Sequence, residues 1–472
     1  MKAWIVLLLL VAVGGYLLTR NGGGMLTDLG TGELVSIGVG VLLVLFYMYG
    51  LFGEDRTRPM QALRAAQHVR GVDGGTVTPA EVLARRDDFV AHWSDDGQVK
   101  WLQSAGIDLV RGHGRLTAER EVTVRTDDGE RVLRARHAVA IATGSDAVIP
   151  GIPGLAEAQP WTSREATGAE KVPASLAVIG GGVVGVEMAT AYAGLGSTVT
   201  LIARHGLLER MEPFAGEQVA DGLRGLGVDV RLNSSTTAVR REGDRVTLTL
   251  DDGDEIRAAE VLVATGRAPR SADIGLEVAG LEPGRSIEVD DTMRVPGSEW
   301  LYAVGDVNGR ALLTHQGKYQ ARAAGDVIAA RSRGEVVADD AWGRHVATAD
   351  HAAVPQVVFS EPEVASVGMT ADAARAAGRQ IEVIDYDLGA VSGAGLHADG
   401  YQGTARMVVD TEREVVVGVT LVGADVAEML QAATIAVVGE VPISRLWHAV
   451  PAYPTMSEIW LRLLEEYGRQ SA

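Results

Sequence analysis

The chain has 472 residues, 43 of them basic and 62 acidic, for a net charge of −19, and it contains no cysteine. Its length allows about three domains, and 47% apolar with 22% charged residues is the balance of a chain with a buried core, which excludes disordered and collagen-like architectures. Without a thiol there is no disulfide framework, no cysteine-ligated metal and no thiolate nucleophile, so no metal site is predicted; the acidic balance argues against nucleic acid as a partner.

Residues 1–53 carry only Lys2, Arg20, Asp28 and Glu33, which cancel, so the net charge lies wholly on the remainder. Two uncharged runs fall in this segment, Ala3 to Thr19 and Leu34 to Gly53; the second matches the roughly 20 apolar residues that cross a bilayer, with Tyr47 and Tyr49 near one interface. The preferred reading is a pair of N-terminal transmembrane helices over 1–53, which makes the membrane a partner. Lys2 on one side and Arg56, Arg58 and Arg64 on the other outnumber Arg20 in the connecting loop, so both ends and the body face the cytoplasm. Two readings compete: a signal peptide for the first run, although no small-residue cleavage site follows it, and buried strands or helices of a globular domain.

From residue 54 the pattern becomes short Val/Ile/Ala-rich runs closed by glycine and followed by helical spacing, the signature of an α/β fold. The run from His137 is an apolar strand ending in Ala142-Thr143-Gly144. Next, the segment Ser175 to Arg204 predicts a strand over Leu176 to Ile179, a glycine turn, a helix over Val183 to Leu195 and a strand over Thr198 to Ile202. Gly180, Gly182 and Gly185 form a GxGxxG in its required place between strand and helix. The first permits the turn, the second lets backbone N–H groups approach a pyrophosphate, and the third lets helix and strand pack closely. An NAD-binding unit would carry Asp or Glu at the end of the second strand for the ribose 2′-hydroxyl. Ala203 stands there, followed by Arg204 and then Arg210, whose guanidiniums suit a 2′-phosphate, so NADPH is the predicted nucleotide.

A second run, from Ala259, ends in Ala264-Thr265-Gly266 and resembles the first. The two bracket the GxGxxG unit, as one domain inserted into another would require. Trp300 to Gly309 predicts a strand ending in Gly305-Asp306, and LLTHQGKYQAR after it predicts a helix. Over 346–472, strands at Ala405 to Val409 and Glu414 to Leu421 and a helix at Asp425 to Val438 form a sheet-plus-helix module with an apolar face to bury.

This ordered set of motifs resembles the pyridine nucleotide–disulfide oxidoreductases, whose members include dihydrolipoamide dehydrogenase, glutathione reductase and mercuric reductase. The resemblance runs from about residue 57 to the end. It implies that Ala142-Thr143-Gly144 and Gly266 mark the crossings between an FAD domain and an inserted NAD(P)H domain, and that Asp306 after Gly305 holds the ribityl chain of FAD. Arg204 and Arg210 match the pair that selects NADPH in glutathione reductase, and Glu187 matches an acidic residue placed near the nicotinamide. Val354 to Thr370 is similar to the opening of the family's dimerisation domain, which implies a homodimer through 346–472. Many members close with His-Pro-Thr-x-Ser-Glu, a general base and the glutamate that orients it. Here Tyr453 takes the histidine's place and Glu458 is kept; a phenol of ordinary pKa about 10 is a poor base at neutral pH. His448, five positions upstream, reads as a structural histidine.

Two family features are missing from the sequence. The CxxxxC redox pair is absent, and the nearest match to the N-terminal FAD fingerprint, VAVGGYLLTRNGGG from Val11, has Tyr16 where the second glycine is needed. The expected fold is therefore an α/β, doubly wound Rossmann-type NAD(P)-binding domain (151–267) inserted in a partial FAD-type domain (54–150 and 268–345), an α+β C-terminal dimerisation domain (346–472) and the N-terminal hairpin (1–53). The expected function is membrane-anchored NADPH-dependent electron transfer, through the FAD that the resemblance implies, to a small-molecule or protein acceptor without disulfide chemistry. The alternatives are a pseudoenzyme or a truncated or fused family member that binds NADPH only.

Overall fold

The computed structural model describes Leu8–Leu9, residues 60–63, 67 and 69, and residues 75–468. The chain divides into two compact units: Met1–Gly50, Phe89–Asp146 and Arg267–Asp350 form the first, and Leu51–Asp88, Ala147–Gly266 and His351–Ala472 the second.

Among the described residues the expected N-terminal transmembrane helices, on which the membrane-anchored body facing the cytoplasm rested, are not found. Leu8–Leu9, inside the first predicted span, are extended and pair antiparallel with Val139–Ile141. No helix among the described residues is long and apolar enough to cross a membrane. The physical reason is that an uncharged apolar run has no periodicity to tell a membrane helix from a strand of a buried sheet. The second predicted span, Leu34 to Gly53, lies outside the described residues.

In the first unit, Val139–Ile141 is the middle strand between Leu8–Leu9 and the parallel Leu301–Ala303. Successive side chains of a strand point to opposite faces. Val139, Ile141, Leu301 and Ala303 accordingly pack with Leu116, Val122 and Val124 of an antiparallel meander, His113–Ala118, Glu121–Thr126 and Gly129–Arg134. Ala140 and Tyr302 face the other way, onto Ala323, Ala324 and Val327 of the helix Thr314–Ser332. The alanines on both surfaces let helix and sheet approach closely.

The second unit holds a parallel sheet in the order Glu260–Val263, Ser175–Ile179, Thr198–Ile202, Asp229–Arg231. The helix Val183–Gly194 leaves the strand Ser175–Ile179 through the glycine turn and is buried from Gly185 to Tyr192, as suits a helix apolar on all sides. The same unit contains a five-stranded antiparallel sheet: Gln356–Val358, Glu363–Gly368, Val415–Gly423, Thr404–Asp410, Ile381–Asp387. All nine residues of its central strand, Val415–Gly423, are buried. The predicted helix over Asp425 to Val438 is split: Asp425 is left-handed (φ 57°), Val426–Met429 form a 3-10 turn, and the α-helix spans Leu430–Val438.

Candidate functional site

The three fingerprint glycines have separable reasons to be glycine. Gly180 has φ +125°, and a Cβ there would collide with the carbonyl of Ala264; a Cβ at Gly185 would collide with the carbonyl of Gly180. A Cβ at Gly182 would meet no atom within 4 Å. Gly182 is also the N-cap of Val183–Gly194 and gives the first helical N–H groups no side-chain partner. A helix N-terminus with open donors and an uncrowded glycine is a ready anion site.

The loop after Thr198–Ile202 lies against this turn, since Leu208 N–H donates to Gly181 O at 2.9 Å. Ala203 is buried, and a Cβ on Gly181 would sit 2.8 Å from its methyl, so this place is packed by small groups where an acid was sought. Arg204 and Arg210 are exposed and make no hydrogen bond or ion pair with any described residue. His205, which sequence reading passed over, is exposed beside them.

Glu187 sits one turn into the helix, 4% exposed, and its carboxylate accepts one hydrogen bond, from Phe359 N–H at 3.0 Å. Burial outweighs that bond and raises its pKa to about 7.

In the first unit, Asp306 follows the strand Leu301–Ala303 on a turn that opens at Gly305, φ +75°. Its carboxyl is 2% exposed, and burial raises its pKa to about 6 against the opposing pull of Ser145 and of Arg267, whose Nε lies 3.8 Å away. Oδ2 accepts from the Ser145 hydroxyl, whereas Oδ1 is buried with no partner among the described residues. Arg267 holds Ser145 twice, at Oγ and at the carbonyl, each 2.7 Å. Gln320 Oε1 accepts from Gly305 N–H (2.7 Å) and from the Asn308 side chain (2.8 Å), which pins the turn. Thr143 donates to Arg270 O at 2.6 Å, and Gly144, φ +73°, accepts from Arg270 N–H at 2.9 Å. Gly266 has φ +135° and no atom within 4 Å of a built Cβ. Sequence reading found Asp306 but missed Ser145 and Arg267, which stand beside its motifs in the chain.

Tyr453 and Glu458 make no hydrogen bond to one another. Tyr453 is 76% exposed, and its hydroxyl makes no hydrogen bond with a described residue. Glu458 is turned onto Ser392 N–H (3.3 Å) and Arg462 (2.5 Å), and the Arg462 bond chiefly holds its pKa below the usual carboxylate range. His448 is exposed with no side-chain partner among the described residues, so it is not the packed structural histidine that was expected.

The orphaned Oδ1 of Asp306 fits the hydroxyl of a bound ribityl chain, the contact FAD would make there. The residues compared with the ADP-binding fingerprint, from Val11, lie outside the described residues apart from that comparison in sequence.

Comparison with known proteins shows the family. Residues 52–326 match the family model for pyridine nucleotide-disulphide oxidoreductases, and residues 354–463 match that family's dimerisation domain. A mercuric reductase from Acidithiobacillus ferrooxidans is 34% identical over 82% of this chain and 69% of its own length. A dihydrolipoyl dehydrogenase from Haloferax volcanii is 33% identical over 78% of this chain and 76% of its own. Among solved structures, LpdA from Mycobacterium tuberculosis shares the fold, with a TM-score of 0.75 and 24% identity over 90% of this chain and 91% of that one.

Proposed function

The chain belongs to the pyridine nucleotide-disulphide oxidoreductases, whose members use FAD and NAD(P)H, and from that premise we propose that it is an NADPH:acceptor oxidoreductase of the flavoprotein type that works without a dithiol of its own. The dimerisation domain supports a homodimer. The observation that carries the nucleotide reading is the pairing of an uncrowded Gly182 with two exposed arginines, 204 and 210, unpaired among the described residues, on a loop tied to the glycine turn.

Gly180 and Gly185 shape the turn, Gly182 admits the pyrophosphate to the helix N-terminus, and Arg204 and Arg210 grip the 2′-phosphate. Glu187, with a pKa near neutral pH, can hold or release a proton close to the nicotinamide. Asp306 and the turns at Ala142-Thr143-Gly144 and Gly305 are the residues that would hold FAD. When bound, FAD supplies a hydride acceptor that passes electrons on in pairs or singly. The absence of cysteine from the sequence leaves a small molecule or a partner protein as the direct acceptor, with the exposed Tyr453 able to donate a hydrogen bond to it.

A second reading, an NADPH-binding module without flavin, is favoured by Tyr16 in place of the second glycine of an ADP-binding turn. The visible spectrum of the purified protein separates the two. A bound yellow chromophore bleached by NADPH supports the oxidoreductase. A colourless protein that binds NADPH supports the module, and one that binds neither overturns both.

A further inference from the structure

Apart from the turns just described, the first unit has a cavity of about 290 Å³ lined by Arg120, Arg136, His137, Tyr302, Arg331 and Ser332. Three chain segments converge on it. The turn between His113–Ala118 and Glu121–Thr126 brings Arg120, the link into Val139–Ile141 brings Arg136 and His137, and the C-terminal turn of Thr314–Ser332 brings Arg331 and Ser332. The cavity lies at the N-terminal ends of the strands Val139–Ile141 and Leu301–Ala303, whereas Thr143, Gly305 and Asp306 follow their C-terminal ends.

Three guanidiniums and an imidazole gathered in a chain of net charge −19 run against the field of the whole molecule. The acidic neighbours of Arg120 and Arg331 are exposed: Glu119 lies 2.8 Å from Arg120, and Glu299, also on the rim, lies 3.3 Å from Arg331 and 3.1 Å from Arg294. Such solvent-exposed pairs are weak and readily exchanged for a ligand oxygen. A further feature points to a ligand. Tyr302 is 1% exposed, and its hydroxyl, on the cavity wall, makes no hydrogen bond with any described residue and is open to a ligand there. Arg120 sits in the tight turn between His113–Ala118 and Glu121–Thr126, φ +56°, where Ala135 N–H donates to its carbonyl (2.8 Å) and its guanidinium donates to Arg136 O (3.3 Å).

We propose that this cavity binds a phosphoryl oxyanion, with Arg120, Arg136 and Arg331 as the cationic donors and the hydroxyl of Tyr302 completing its shell. Donors arriving from three segments suit a tetrahedral oxyanion, whereas a planar carboxylate is satisfied by a single guanidinium fork. Phosphoryl groups reach such a cavity either as inorganic phosphate or as the ester of a small metabolite.

The test is calorimetric titration of the full chain with inorganic phosphate and with glycerol 3-phosphate at fixed ionic strength, with saturating NADP+ present to occupy the nucleotide loop. The wild type should show one saturable site, weakened about tenfold or more in Arg120→Met/Arg331→Met. Tyr302→Phe, which keeps the ring's packing, should weaken it several-fold while leaving NADPH binding unchanged. The unfolding midpoint of the wild type should rise with phosphate, and that of the double variant should not. Tighter binding of glycerol 3-phosphate identifies an ester ligand, and equal or tighter binding of phosphate identifies the free ion. Absence of saturable binding, or equal affinity in the wild type and the double variant, overturns the proposal.

Discussion

Ser145 donates its hydroxyl to Oδ2 of Asp306 and leaves Oδ1 of the same carboxylate buried without a partner among the described residues. Protein chemistry satisfies one oxygen and withholds a donor from the other. A buried unsatisfied acceptor is costly, and a ligand hydroxyl would relieve that cost. Ser145 is held in turn by Arg267, so the serine is the joint through which an arginine fixes the carboxylate.

Ser145→Ala removes that joint. It leaves Oδ2 of Asp306 without its hydroxyl donor and Arg267 Nε without its acceptor, so the expected loss of folding stability is about 1–3 kcal/mol. Flavin retention should fall with it. Urea unfolding and the flavin-to-protein absorbance ratio after gel filtration measure the two effects, and an unchanged midpoint with full flavin retention would refute the relay.

Asp306 and Glu187 also predict an unusual pH dependence. Their folded pKa values, about 6 and about 7, lie above the ordinary 3.8 and 4.5, so between those limits the native state binds more protons than the unfolded one. The contribution of each is fully present below its ordinary pKa and is lost as pH rises through the folded value. Stability should therefore fall from pH 4 toward pH 7.5, by on the order of 3 kcal/mol for each carboxyl. Glu187→Gln should remove its share and be the more stable protein at pH 7.5 relative to the wild type. Unfolding free energies at the two pH values decide it; a variant with the wild-type slope would show that Glu187 is not the titrating group.

The parts of this architecture that sequence could reveal are local ones. Gly180, Gly182 and Gly185 are read from one strand, turn and helix, and Arg204 and Arg210 from the strand that follows. Ser145 and Asp306 are 161 residues apart, and no local pattern announces their bond. The same holds for the bond that Glu458 accepts from Ser392 N–H, 66 residues away. Leu8–Leu9 were misread because an uncharged run carries no periodic signal, and their partner strand, Val139–Ile141, lies far along the chain. Asp425 misled in the opposite direction, since helical spacing through it hides a left-handed residue where the α-helix has not yet begun.

Arg204→Glu tests the choice of nucleotide. The arginine is exposed and unpaired, so its replacement should leave stability within about 0.5 kcal/mol of the wild type. Affinity for NADPH should fall at least about tenfold, since one charge-assisted contact is lost and a repulsive charge is gained. Affinity for NADH should change much less. Fluorescence titration with both nucleotides measures the ratio, and an equal loss for the two would mean that Arg204 does not read the 2′-phosphate.

The glycine turn yields the sharpest contrast, because Gly182 and Gly185 belong to one motif and are glycine for different reasons. A methyl at Gly185 would collide with the carbonyl of Gly180, forcing strand and helix apart; Gly185→Ala should lose about 1–3 kcal/mol or fail to fold. A methyl at Gly182 meets no atom within 4 Å, and the residue's φ of −80° is open to alanine. Gly182→Ala should therefore fold with stability within about 1 kcal/mol of the wild type or slightly above it. Its methyl would stand where the pyrophosphate approaches the helix N-terminus, so affinity for NADPH and NADH should drop together. Thermal unfolding alongside nucleotide titration separates fold from binding. A Gly182→Ala protein that binds both nucleotides like the wild type would place the phosphates elsewhere and sink the reading of this turn.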